Sequence, residues 1–165
     1  MAEQLLAWIR FGIDTEIKSI DFYTKCRTKV RHPIAMEIFD YLVKVEKAHK
    51  NILETLLAQE AKGDRRKIEE SITTFLHMQI KNPLFPTEQV DDMVKPTATL
   101  ISMLNNALAL EQTGMDFYKK CARDEKDPKI KALFTRLAND ETDHKKELTD
   151  MGNYVFGVMP EGEFD

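Results

Sequence analysis

The sequence predicts an all-α protein, a four-helix bundle made of two helical hairpins joined by a long crossover. Three observations predict it: apolar residues recur at three- and four-residue steps through four long segments, Pro and Gly fall between those segments, and one stretch repeats itself 95 residues later. The chain has 165 residues, 42% of them hydrophobic and 32% charged, which suits one domain (1–165) with a real core.

Leu5, Leu6, Trp8 and Ile9 begin a helical stripe that Ile13, Ile17 and Ile20 carry to about Val30. Pro33 disfavours helix at His32 but suits a first helical turn, so a second helix is expected from there. Its stripe of Ile38, Tyr41, Leu42, Val45, His49, Ile52, Leu53 and Leu56 ends near Gly63. Residues 62–95 read as the crossover, with a shorter helix around Ile68 to Met78 and then Asn82-Pro83-Leu84-Phe85-Pro86, which no helix interior accepts. A third long helix is expected from Pro96 to near Asp127, and a fourth from Pro128 to about Met151. Gly152, Gly157 and Pro160 mark residues 152–165 as a tail without helical continuity. Alternation of apolar and polar residues never persists, so no strand competes.

The repeat carries the argument further. Residues 16–49 lie over 111–144 without a gap, and 11 of the 34 positions are identical, among them Glu16/Glu111, Tyr23/Tyr118, Cys26/Cys121, Pro33/Pro128, Glu46/Glu141 and His49/His144. Two such hairpins close one bundle around one core, whereas a solenoid normally needs three or more repeats. Glu46 and His49 are three residues apart, as are Glu141 and His144, so each pair shares a helix face. Glu16 and Glu46 each lie 15 residues from Arg31, and Glu111 and Glu141 each lie 15 from Lys126. All four carboxylates are therefore level, about 22 Å from the turns at the helical rise. Four carboxylates converging inside a bundle repel one another unless they are protonated or neutralised by a multiply charged cation. One Glu from each of two helices plus Glu-x-x-His from each of the other two is the ligand set of di-iron and di-manganese bundles. Here that set is Glu16, Glu111, Glu46 with His49, and Glu141 with His144. Imidazole and carboxylate together suit iron, manganese or zinc, and spacing does not choose among them. Tyr23 and Tyr118, two turns beyond Glu16 and Glu111, are candidates to bond the ligands from outside. Asp140 is a further candidate, although a solvated helix face is the simpler reading of it.

These motifs, Glu16-x6-Tyr23, Glu46-x2-His49, Glu111-x6-Tyr118 and Glu141-x2-His144, in this order with a long connection between the pairs, resemble the ferritin-like superfamily and specifically its rubrerythrin-type di-iron domains. The resemblance spans residues 5 to 151 and implies a ferritin-like bundle with two iron ions. Its activity would be oxidation-reduction on oxygen, peroxide or Fe(II), with the six ligands catalytic through the metals and the tyrosines adjoining them. Alternatives are iron binding or storage without steady turnover, and an interaction or sensory module with a structural metal such as zinc. Rubrerythrins add a C-terminal rubredoxin domain, which needs cysteines, and none follows Cys121, so a separate electron donor such as a rubredoxin-like protein is expected. They also carry a glutamate three residues beyond the third-helix ligand, where this chain has Gly114. The methionine with which bacterioferritins bind haem corresponds to Lys47, so no haem is expected, and a homodimer is expected rather than a storage shell.

The remaining features exclude other classes. A formal charge of −4 offers no basic surplus for nucleic acid, and charged residues interrupt every apolar stretch before it could span a membrane. With no leader pattern at the N-terminus, a soluble cytoplasmic protein is the expectation. Two cysteines make neither a disulfide framework nor a four-thiolate metal site. If the third helix runs antiparallel to the first, Cys26 and Cys121 lie on opposite sides of the glutamates, too far apart to pair, and are buried as small apolar residues. His32 and His77 read as ordinary surface or packing residues.

Overall fold

The computed structural model describes residues 2–77 and 98–157, and every element in it is helical. Helix α1 spans Ala2–Lys29, α2 Pro33–Glu60, α3 Arg65–His77, α4 Ala98–Asp124 and α5 Pro128–Phe156. The four long helices run 27 to 29 residues, about 42 Å at the helical rise, and α3 has 13. The expected Asn82 to Pro86 break and the start at Pro96 lie outside the described residues.

Helix α1 packs chiefly on α2, and α4 on α5. The hairpins join through α1 with α4 and α2 with α5, which leaves α1 diagonal to α5 and α2 diagonal to α4. Two apolar clusters fill the bundle, one at each end. The first combines Tyr23 and Cys26 from late α1, and Val30 just beyond it, with Leu100 and Leu104 from early α4. The second combines Leu5 and Ile9 from early α1 with Tyr118, Cys121 and Ala122 from late α4. Late α1 beside early α4 means antiparallel helices, which is the ferritin-like arrangement. Cys26 and Cys121 accordingly sit in different clusters, both buried and free. Burial pushes their thiols up to about 11 and about 12, so neither is an available thiolate at neutral pH.

Helix α3 gives the crossover structure of its own. It packs on α2 and α5 and puts Ile68, Ile72 and Phe75 into the second cluster. At the other end of the chain, α5 runs to Phe156 and corrects the expected end at Met151. Met151, Gly152 and Val155 are buried, so packing outweighs the roughly 1 kcal/mol that Gly152 costs in a helix. The helix stops where Gly157 takes a left-handed conformation, φ 70°, and returns its N–H to the Asn153 carbonyl. Among the described residues no helix is long and apolar enough to cross a membrane.

The two hairpins differ at their turns. Asp127 caps α5 by accepting from the N–H groups of Lys129 and Ile130, whereas its counterpart His32 has the same backbone conformation and makes no side-chain cap. His32 Nδ1 is buried with no hydrogen-bond partner among the described residues, and burial lowers the imidazole's pKa. His32→Asp is therefore expected to stabilise the protein by about 1 kcal/mol. Thermal unfolding should show this as a rise of roughly 2–4 °C for a chain of this size, and an unchanged or lower midpoint would count against it.

Candidate metal centre

Between the two apolar clusters lies one polar layer. Glu16, Glu46, His49, Glu111, Glu141 and His144 all point into it, each no more than 3% exposed. Their positions follow from local structure: Pro33 and Pro128 start α2 and α5 at matching points, and three-residue spacing then stacks each Glu over its His. Six polar residues in this buried layer form two groups that could each hold a metal ion. Glu16, Glu46, His49 and Glu141 make one, and Glu46, Glu111, Glu141 and His144 the other, with the donor atoms of each within 4.8 Å of one another. Glu46 and Glu141 belong to both. The two groups thus form a possible binuclear site with two shared carboxylates.

Both imidazoles turn Nδ1 inward. His49 Nδ1 lies 3.2 Å from Glu46 Oε2, 3.6 Å from Glu141 Oε1 and 3.8 Å from Glu16 Oε2. His144 Nδ1 lies 3.2 Å from Glu111 Oε2 and 3.3 Å from both Glu46 Oε1 and Glu141 Oε2. The rings stack at 5.7 Å, 20° from parallel. Both oxygens of Glu46 and Nδ1 of His49 are buried without a well-formed hydrogen bond among the described residues. Orphaned donor atoms at the centre of a convergent carboxylate and imidazole cluster fit a bound divalent cation, and this donor set suits iron, manganese or zinc.

The tyrosines tie the hairpins together across this layer. Tyr23 on α1 donates its hydroxyl to Glu111 Oε1 on α4, and Tyr118 on α4 donates to Glu16 Oε1 on α1. Each ring is held by the phenylalanine that repeats with it, Tyr23 stacking on Phe39 at 6.0 Å and Tyr118 on Phe134 at 6.2 Å. The repeated Tyr and Phe are thus one device, a packed ring that aims a hydroxyl at a carboxylate. Burial, reinforced by the glutamates, keeps both phenols well above their ordinary pKa, so they remain donors.

Without metal, the cluster must balance its own charge. Burial first, then the neighbouring carboxylates, hold Glu16 and Glu111 well above the usual carboxylate range. Burial pushes Glu46 and Glu141 the same way, but contacts with His144 and His49 and with the protonated carboxyls outweigh it and leave both below. Burial lowers the two imidazoles, yet the carboxylates around each raise His49 and His144 well above their usual value. Burial thus favours the protonated form of Glu16 and Glu111, while Glu46 and Glu141 favour the charged form and both imidazoles the protonated one.

Asp140 corrects the sequence reading. Far from lying on a solvated face, its side chain is only 14% exposed and its Oδ2 sits 3.1 Å from His49 Nε2. Arg136 holds the other oxygen at 2.6 Å, and its guanidinium lies 5.9 Å from the centroid of Phe75. Phe75 in turn meets the His49 ring edge-on at 6.1 Å. Neither α3's cover over His49 nor this outer carboxylate was legible from the Glu-x-x-His spacing. The available signals were the Asp directly before Glu141 and the Arg four residues earlier. Gly114 also acquires a reason: a Cβ there would lie 3.3 Å from Glu141 Cδ, so the bare backbone makes room for a shared carboxylate.

The sequence pattern of the rubrerythrin family matches residues 60–158, more than half of the chain. The chain belongs to the rubrerythrin family. No curated protein and no solved structure was found to match it. In this rubrerythrin-family chain the matched segment carries α4, α5, Glu111, Glu141 and His144. Glu16, Glu46 and His49 lie before it and enter the same site through the internal repeat.

Proposed function

We propose that this protein is a di-iron carboxylate oxidoreductase acting on oxygen, peroxide or Fe(II), with Glu16, Glu46, His49, Glu111, Glu141 and His144 as the metal ligands. The observation that carries the reading is the pair of buried donor groups sharing Glu46 and Glu141, in a chain of the rubrerythrin family. When bound, two redox-active ions supply paired electrons to an O–O bond. The protein's own contribution is geometric and electrostatic. The two apolar clusters exclude water above and below the layer, while Tyr23 and Tyr118 orient Glu111 and Glu16 and keep a proton at each phenol oxygen. The reading includes a separate electron donor, such as a rubredoxin-like protein, and a homodimer.

An anaerobic Fe(II) titration of metal-free protein, followed by air or peroxide, tests it. Saturation near two irons per chain with fast oxidation is expected. Uptake of many irons would favour storage, and a bound metal that does not change oxidation state would favour a structural role. Absence of specific uptake would sink the di-iron reading.

A further inference from the structure

The repeat makes the two halves of the site comparable residue by residue, and it shows where they differ. Shifted by 95 residues, Asp140 falls on Val45 and Arg136 on Tyr41. On the His49 side, Nε2 meets Asp140, Asp140 is held by Arg136, and Arg136 reaches the Leu76 carbonyl of α3 at 3.4 Å. On the His144 side, Val45 is buried and apolar, the Tyr41 ring stands edge-on at 6.2 Å, and Nε2 is buried with no hydrogen-bond partner among the described residues. The same histidine with the same inward Nδ1 thus has a carboxylate hydrogen-bonded behind it in one half and, among the described residues, no hydrogen-bond partner there in the other.

We infer that Asp140 makes the two metal positions unequal: the half built by Glu16, Glu46, His49 and Glu141 takes a divalent cation first and more tightly, and the half completed by Glu111 and His144 fills second. A ligand imidazole that binds through Nδ1 carries its hydrogen on Nε2. An aspartate accepting that hydrogen fixes the tautomer and the ring and raises the basicity of the ligating nitrogen, an arrangement whose loss typically costs 10–100-fold in metal affinity. His49 has this support ready in place, held through Arg136 to α3. For His144 no described residue accepts the same hydrogen. Asp140 is therefore a positioning residue for His49 and touches neither of the donor groups' inward faces. The inference rests on the binuclear reading above.

Titration of the metal-free full chain with Co(II), followed by calorimetry and by the visible absorption of the bound ion, tests it without recourse to activity. Wild-type protein is expected to bind two equivalents in two resolved steps. Asp140→Val, which copies the Val45 environment, is expected to weaken the first step by about 10–100-fold and leave the second within about threefold, so that the steps merge. Asp140→Asn, which keeps an acceptor but not the charge, should fall between, and decides the matter alone should the valine variant fail to fold. Val45→Asp should tighten the second step. An unchanged first step in the Asp140 variants, or equal weakening of both steps as a purely structural role would give, overturns the inference and leaves the binuclear site standing. Failure of the wild-type chain to bind two equivalents overturns both.

Discussion

Glu46→Ala is expected to abolish tight binding of both metal equivalents, whereas His49→Ala is expected to lose only one. The difference follows from the sharing of ligands: Glu46 and Glu141 stand in both donor groups, while Glu16 and His49 serve one and Glu111 and His144 the other. Removing a shared carboxylate strips a negative ligand from both positions at once. It also withdraws the charge that holds two cations a few ångströms apart. The loss should exceed the 10–100-fold that a missing outer hydrogen bond costs. Glu141→Ala should behave like Glu46→Ala, and Glu111→Ala like His49→Ala. Equilibrium dialysis against Mn(II), with bound metal counted per chain, distinguishes the two classes. If Glu46→Ala keeps one full-affinity equivalent, the two groups do not share that carboxylate in solution.

Metal-free protein should lose stability as the pH rises through and above neutrality, and loading with metal should remove that loss. Glu16, Glu111, His49 and His144 all hold their protons more tightly in the folded state than in the unfolded chain. A group with a raised folded pKa contributes its stability fully below its unfolded pKa and loses it as the pH climbs through the folded value. For the two histidines this window opens above about 6.5. For the two glutamates it opens above about 4.3 and extends to their raised values. Glu46 and Glu141, whose folded pKa is depressed, work in the opposite sense and lose their contribution only as the pH falls into the acid range. Two divalent ions would favour the ionised form of all four carboxylates and the neutral form of both imidazoles. Filling the site should accordingly release protons, because metal ligation requires ionised carboxylates and neutral imidazoles. Calorimetric titration in buffers of different ionisation enthalpy counts them. Thermal unfolding at pH 6.5 and 8.5, with and without Mn(II), measures the linked stability. A flat metal-free profile, or release of no protons, would show that the cluster is already ionised before metal arrives.

The helices and the six inward residues were legible in the chain because the repeat doubled every signal. A lone Glu46 and His49 pair reads as an ordinary polar patch, but its recurrence as Glu141 and His144, with Glu16 and Glu111 at matched distances from the turns, leaves few folds that could separate them. The repeated Tyr23 and Tyr118 were legible as neighbours of the site for the same reason. What resisted was whatever depends on a residue from another helix. Asp140 immediately precedes Glu141, so on its own helix it points about 100° away from the ligand face and reads as solvated. Only the approach of α2 brings His49 Nε2 to it.

The sequence by itself determined the helical class, the two hairpins and the six side chains that face one another, since these follow from spacing along single helices and from one internal duplication. The tertiary structure decided that Asp140 stands behind His49. Asp140 and Val45, like Arg136 and Tyr41, occupy equivalent places in the repeat and differ in their side chains, but only the packing of α5 on α2 brings the aspartate to His49 Nε2. It also decided that α3 covers His49, that α5 continues through Gly152 to Phe156, and that each tyrosine crosses to the other hairpin's glutamate. Local periodicity encodes the direction a residue faces on its own helix. The chemistry of an imidazole's second nitrogen depends on the helix packed against it, and that is settled only when the bundle closes.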